Sequence, residues 1–490
     1  MRFNASAEPT SVEPGWIAKK VAAIDIDPGA HRVLRLAALV AAVCGGLYGY
    51  DTGIIAGALL SMTREFSLDH RMQEIVTASI LAGAVIGALG TGWLSERIGR
   101  RRTVMVVTAM FVLGAIACFA APTVGLLIAA RCFLGFAVGG STQVVPMYIS
   151  ELAPQDRRGN LVTMFNVAIG VGILLANIVG FAFQDIWSWR TMVVVAALPA
   201  AFVFVAMFFM PGSPRWTAEN VGFDAALELL GRVRSSRRDI RREITEIHAV
   251  TGSADDSESG WRGIAQPWVR PALIAALGVA FFTQCGGLEM MIYYAPTFLL
   301  NVGFGPSSAL LASLGVAIVY AVMTLLGCLF VDRIGRRRLM LIMIPGSVLS
   351  LIGLSAMFAM GASGGWQGWL TILFLLLFMM FNAGGIQVCG WLLGAEMFPL
   401  AMRGQATSLH AATLWGSNLI VTGTALSLVH AIGLGGTMVV YAGVNVLSFL
   451  FVLRFVPETA GTSLEDIETA LRNGRFRPTR GHSAIDRAAA

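Results

Sequence analysis

Three ionisable side chains stand in stretches that are otherwise apolar. Asp51 lies well inside the apolar run at 34–60, within G-L-Y-G-Y-D-T-G, Arg131 comes about two turns into the run at 124–145, and Glu289 falls inside the run at 272–300. An ionisable group at bilayer depth costs about 2.5–3.5 kcal/mol on insertion scales, so it usually faces a water-filled cavity or a partner. Arg131 is the obvious partner for Asp51, and a change in their separation would change how tightly the carboxyl group holds a proton. The plainer alternative has Arg131 snorkelling to the headgroups. A second group of charges recurs. R-I-G-R-R-R at Arg97–Arg102 returns at Arg333–Arg338, each copy following an acid, Glu96 or Asp332. E-L-A-P-Q-D-R-R-G from Glu151 returns as E-M-F-P-L-A-M-R-G from Glu396.

The elements that must position these groups are membrane helices. Of 490 residues 56% are hydrophobic and only 13% charged, far too apolar for a soluble protein of several domains. About twelve apolar runs of roughly twenty residues recur, the length that crosses a hydrocarbon core of about 30 Å. The net charge of +6 comes from arginines clustered in short connections, the positive-inside bias, so no nucleic acid is expected as a partner. Six cysteines, Cys44, Cys118, Cys132, Cys285, Cys328 and Cys389, fall singly in apolar runs, without metal or redox spacing, and read as packing residues. No cleavable signal is evident in the mixed, polar first thirty residues.

Five parts are expected: a cytoplasmic N-terminal segment (1–33), a six-helix half (34–210), a polar linker of short helices (211–271), a second six-helix half (272–456) and a cytoplasmic tail (457–490). The linker runs from arginine-rich to acidic and belongs on the face of both R-I-G-R-R-R copies, which puts both termini in the cytoplasm. Two motifs recurring in the same order make the halves parallel repeats, the architecture of the major facilitator superfamily, with a site where the halves meet. The fold class is therefore an all-α membrane protein with twelve transmembrane helices in two pseudo-symmetric halves. Glu96, Arg97, Glu151 and Arg158 lie at helix ends of the first half, as Asp332, Arg333, Glu396 and Arg403 do in the second. They read as a cytoplasmic gate of ion pairs, each worth about 0–1 kcal/mol, small enough to separate when the halves rock. Static anchoring is the alternative.

Several stretches together resemble the sugar porter family of that superfamily: G-W-L-S-E-R-I-G-R-R-R from Gly92, R-C-F-L-G from Arg131, P-M-Y-I-S-E ending at Glu151, P-G-S-P-R-W from Pro211, Y-Y-A-P from Tyr293, E-M-F-P from Glu396 and P-E-T-A-G from Pro457. The resemblance covers about 46–468 and is nearest to the bacterial proton-coupled sugar symporters, because G-Y-D-T carries Asp51 where animal facilitators carry asparagine. It implies Asp51 as the proton site with Arg131 tuning it. It further implies substrate contacts at Asn166, Thr283, Gln284, Glu289, Tyr293, Tyr294, Gln387, Trp391, Trp415 and Asn418. Departures stand among them. Thr283 replaces the first glutamine of segment seven, Glu289 its asparagine, Asn166 the glutamine of segment five, Val388 the helix-breaking proline of segment ten, and Gly212 a glutamate.

Amides and hydroxyls suit a polyhydroxylated ligand, and tryptophan faces stack on the apolar side of a sugar ring. Glu289 could accept two hydroxyl hydrogen bonds, titrate, pair with a cationic substrate, or serve a neighbouring polar group structurally. His410 and His430 could shuttle protons, though a lone histidine in a helix is more often simply hydrogen-bonded. The implied function is a secondary transporter importing a sugar or polyol with protons, in a bacterial inner membrane and functional as a monomer. A facilitator, a carrier of a charged ligand and a non-transporting nutrient sensor are the alternatives. An enzyme is not expected, nor a cofactor or metal, since no nucleophile and base pair, metal spacing or phosphate loop occurs.

Overall fold

In the computed structural model the chain is described for residues 14–27, 29–183, 186–253, 260–361, 365–399, 402–462 and 464–476, with side-chain surroundings for all of these except 14–16, 155–160, 162–163, 249–253, 395 and 464–465. Among them every regular element is a helix. After α1 (Pro14–Ala23) come α2 (Ala30–Phe66), α3 (His70–Ile98), α4 (Arg100–Ala120), α5 (Val124–Leu152) and α6 (Gln155–Ala182), then α7 (Trp189–Val194) running on into α8 (Ala197–Ala206). The linker holds α9 (Pro214–Asn220), α10 (Phe223–Val233), α11 (Arg237–Ser253) and α12 (Gly260–Ile264). The second half has α13 (Arg270–Cys285), α14 (Leu288–Asn301), α15 (Pro306–Ile334), α16 (Arg336–Ala359), α17 (Gly365–Asn382), α18 (Val388–Glu396) and α19 (Arg403–Phe455), followed by α20 (Leu464–Arg472).

Among the described residues eleven stretches are long and apolar enough to cross a membrane. The last, α19, has 53 residues, about 80 Å of helix against a core of about 30 Å. It folds at Gly433, whose φ of 74° and ψ of 167° leave the helical region, and so it crosses twice. Twelve crossings result, and the chain is an integral membrane protein.

The R-I-G-R-R-R copies turn the chain identically. Gly99 (φ 87°, ψ 154°) and Gly335 (φ 92°, ψ 147°) each end one helix and start the next in a conformation that a Cβ would strain. Within the first half α2 packs along α6 and α3 along α5. The second contact depends on absent side chains: a Cβ on Gly135 or Gly139 would collide with the backbone of Ile80 or Ala84, and one on Gly83 or Gly87 with that of Cys132 or Phe136. Small residues of this kind let membrane helices approach closely enough for dispersion contacts to hold them. The halves meet through α3 against α19, α6 against α15 and α2 against α14.

Two helices depart from the continuous segments read in the sequence. The seventh crossing breaks at Gly286–Gly287, where Gly287 has φ 93°, separating α13 from α14. The tenth loosens into a π-helical turn at Ala383–Gln387, immediately before the Val388 that stands in place of proline. A widened turn gives a helix a local bend without removing a backbone donor. At the arginine-rich end the linker docks on the first half. The buried Arg234 pairs with Glu243 at 2.7 Å and donates from Nη1 to the Leu152 carbonyl at 2.6 Å, so it caps the C-terminus of α5.

Candidate functional site

The break between α13 and α14 sets polar groups at the seam between the halves. Gln284 in the last turn of α13 and Glu289 in the first turn of α14 are each 1% exposed, and among the described residues Gln284 Oε1 and Glu289 Oε2 have no hydrogen-bond partner. Gln387, in the π turn, approaches the Tyr320 hydroxyl with Nε2 at 3.5 Å and leaves Oε1 without a partner. Tyr48 of α2, Trp391 of α18 and Trp415 of α19 form an aromatic cluster with centroid separations of 6.0, 5.1 and 6.4 Å. Trp415 Nε1 donates to Thr142 Oγ1 of α5 at 3.1 Å, so this cluster is tied across the seam. The buried Tyr293 lies near Thr52 and Asn418, and Asn418 Oδ1 accepts from Thr422 Oγ1 at 2.8 Å. Asn166 is half-buried on α6.

Two expected ligand groups point elsewhere. Thr283 donates to the Val279 carbonyl of its own helix at 2.7 Å and packs against Gly390, while Tyr294 donates to the Thr422 carbonyl at 3.0 Å. Each hydroxyl is already satisfied by backbone, so these residues position helices. Conversely, Asn382 was not singled out by its sequence context. It is fully buried with neither Nδ2 nor Oδ1 partnered, and it flanks Gly286 together with Asn445, whose Nδ2 donates to the Gly286 carbonyl at 2.9 Å. An amide in the apolar run before two glycines was the available signal.

Asp51 and Arg131 are 7% and 2% exposed, which removes the headgroup reading for Arg131. They do not form the expected pair in this conformation. Arg131 Nε donates to the Val76 carbonyl at 2.8 Å, and among the described residues Asp51 has no ion pair within 4.0 Å. His410 is simply hydrogen-bonded, with Nε2 2.7 Å from the Gly390 carbonyl.

The charged ends require a correction. The arginine that meets Glu151 is Arg100, at 3.1 Å, and the one that meets Glu396 is Arg336, at 2.7 Å; Arg336 also reaches Asp332 at 2.7 Å. Arg97 lies over the Trp93 ring at 4.1 Å, and Arg333 is exposed. The reason is the glycine turn. The first arginine of R-I-G-R-R-R ends one helix facing outward, whereas the second, just after the glycine, opens the next helix facing the bundle. Both pairs, moreover, lie within a half. Among the described residues, Gln405 Nε2 donating to Glu96 Oε1 at 2.6 Å and Gln143 Nε2 donating to Ser408 Oγ at 2.7 Å and to the Gly404 carbonyl at 3.4 Å cross the seam at this end. Arg403 lines a hollow with Asp332, Arg336, Glu396 and Thr459, and the Arg158 side chain lies outside the described residues. Ser213 hydrogen-bonds Glu151 as Thr459 does Glu396, but Glu458 has no counterpart at Gly212. Glu458 accepts from the Arg336 and Arg338 backbone N–H groups at 2.8 and 3.3 Å, capping α16, so only the second pair has a carboxylate cap beneath it.

The opposite end is closed by a contact not foreseen. Glu74 of α3, 4% exposed, accepts from Ser427 N at 2.6 Å and Ser427 Oγ at 2.5 Å on α19, and His70 stacks on His430 beside it, 4.7 Å between centroids and 13° between planes. A hydrogen bond to a charged group is worth about 1.5–3 kcal/mol. Glu74→Ala is therefore expected to raise the alkylation rate of a cysteine introduced at Thr77, buried on α3, by about tenfold or more when an impermeant thiol reagent is applied from this face. An unchanged rate would show that the contact does not hold this face shut.

Residues 37–471 match the family described as sugar (and other) transporter. The chain is 39% identical over 432 residues to the putative metabolite transport protein YwtG of Bacillus subtilis (strain 168), covering 88% of this chain and 94% of the relative. It is 34% identical over 441 residues to the galactose-proton symporter of Escherichia coli (strain K12), covering 89% and 94%. Among solved structures, the proton:xylose symporter XylE bound to 6-bromo-6-deoxy-D-glucose is similar with a TM-score of 0.77 and 26% identity, covering 90% of this chain and 99% of that one.

Proposed function

The chain belongs to the sugar (and other) transporter family, and from that premise we propose that it imports a sugar or polyol together with protons by alternating access. The observation that carries the reading is the gathering, at the seam of two pseudo-symmetric halves, of buried amides and an aromatic cluster drawn from both halves, with the buried carboxyl group of Asp51 within electrostatic range of Tyr48 and Tyr293. Asp51 takes the proton, Arg131 tunes it, and Gln284, Glu289, Tyr293, Gln387, Trp391, Trp415, Asn418 and Asn166 surround the cargo. Relatives of this length carry galactose with protons, and the similar solved structure is a proton:xylose symporter, which supports the same cargo class here.

The arginine-rich end, the linker 211–271 and both termini face the cytoplasm, following the positive-inside bias, in a bacterial inner membrane. Residues 34–210 and 272–456 are the two moving halves. Each chain holds both walls of its site, so a monomer suffices. The purified protein in proteoliposomes is expected to take up a sugar or polyol from a panel saturably, and faster when the outside is made acidic. Saturable flux indifferent to that gradient would leave a facilitator, and binding without flux would leave a sensor.

A further inference from the structure

Glu289 is buried at membrane depth with a free carboxylate oxygen, and among the described residues no cation lies within ion-pair distance of it. Its position in the first turn of α14 gives it the positive end of that helix dipole, which is worth at most a fraction of a full counter-charge. A carboxylate taken out of water without a cation is among the costliest arrangements in a membrane protein, so Glu289 is held either as the neutral acid or by a cation that arrives with the cargo. The unpartnered atoms near the break lean the same way. Gln284 Oε1, Gln387 Oε1 and Glu289 Oε2 are acceptors, and Asn382 beside Gly286 adds one acceptor, Oδ1, and one donor, Nδ2. A neutral polyol brings one acceptor with every donor, whereas an ammonium group brings three donors, no acceptor and the missing charge.

The third observation is the aromatic cluster. Tyr48, Trp391 and Trp415 sit 5.1–6.4 Å apart at mutually tilted angles of 59–73°, and Glu289 lies within electrostatic range of Tyr48 as well as of Tyr293 and Tyr320. Tilted aromatic faces beside a carboxylate are what a desolvated ammonium requires, because ring faces attract cations while their bodies exclude water.

Resting on the importer reading above, we propose that the cargo is a polyhydroxylated ring bearing a protonated amine, an amino sugar or aminocyclitol, whose ammonium pairs with Glu289 against Tyr48, Trp391 and Trp415. The full chain in proteoliposomes then takes up D-glucosamine at least about tenfold more efficiently than D-glucose, about 1.4 kcal/mol of discrimination, and Glu289→Asn inverts that order. D-glucosamine also raises the unfolding temperature of the wild-type protein in detergent, and does so less for Glu289→Gln. Equal uptake of both sugars, unaltered by Glu289→Asn, overturns the cargo assignment and leaves the importer standing. Uptake of neither sugar, with another sugar or polyol of the panel still carried, overturns the cargo assignment and leaves the importer standing; uptake of nothing in the panel overturns both. Retained amine preference in Glu289→Asn, with fewer protons moved per cargo, also overturns the assignment and gives Glu289 to proton coupling.

Discussion

Asp51→Asn abolishes uphill accumulation while exchange of cargo across the membrane continues. Asparagine keeps the shape and polarity of the side chain but cannot take up and release the coupling proton, so binding and rocking survive and only the link to the gradient is cut. The expected size is large. One proton per cargo and two units of imposed pH gradient support about a hundredfold accumulation, each unit being about 1.4 kcal/mol; the variant should equilibrate near onefold. The role requires the surroundings of Asp51 to change between conformations. In the present conformation Arg131 is engaged with the Val76 carbonyl and Asp51 lacks an ion partner, so a motion that brings the guanidinium to the carboxyl group changes its proton affinity between the two faces. Accumulation of labelled cargo into proteoliposomes is the measurement, and a variant that still concentrates cargo tenfold would remove Asp51 from the coupling.

Arg100→Ala destabilises the protein by about 3 kcal/mol and Arg336→Ala by about 2 kcal/mol, whereas Arg97→Ala and Arg333→Ala stay within about 1 kcal/mol. The difference follows from burial. The Arg100 and Glu151 side chains are only 10% and 11% exposed, so removing the guanidinium strands a carboxylate among helix ends. Arg336 is equally buried, but Glu396 is 27% exposed and retains the Thr459 hydroxyl, so the loss there is the smaller of the two. Arg97 rests on the Trp93 ring at the surface, a contact worth about 0.5–1 kcal/mol at most in water. Unfolding in detergent, followed by tryptophan fluorescence, ranks the four variants. Equal losses at Arg97 and Arg100 would refute this account of the turn. Because both ion pairs lie inside a half, neutralising Arg97 or Arg333 is not expected to open the arginine-rich face; Glu96 with Gln405 and Gln143 with Ser408 are the contacts that must part there.

The candidate site was legible to an unequal degree. Gln284, Glu289, Gln387, Trp391 and Trp415 entered as candidates through the resemblance to the sugar porters, at positions that match that family's motifs, and Glu289 also as a carboxylate inside an apolar run. Thr283 and Tyr294 fitted the same pattern, yet their hydroxyls serve the Val279 and Thr422 carbonyls, and helix rotation, which no spacing records, decides that. Asn382 had the composition but not the motif. Glu74 stands at the polar start of an apolar run, where a charge is ordinary, and its partner Ser427 is 353 positions away.

By itself the sequence determined the membrane class, the twelve crossings, the duplication and the glycine turns. Each of those follows from local composition or from a short pattern repeated, and hydropathy acts on every residue wherever its neighbours lie. Tertiary structure alone decided which arginine of R-I-G-R-R-R meets a glutamate, that Asp51 and Arg131 stand apart here, and that Glu289 is left without a partner. Those outcomes depend on helix rotation and on side chains arriving from distant segments. At membrane depth, where water cannot satisfy a polar atom that has been left over, they determine which groups remain free for a ligand.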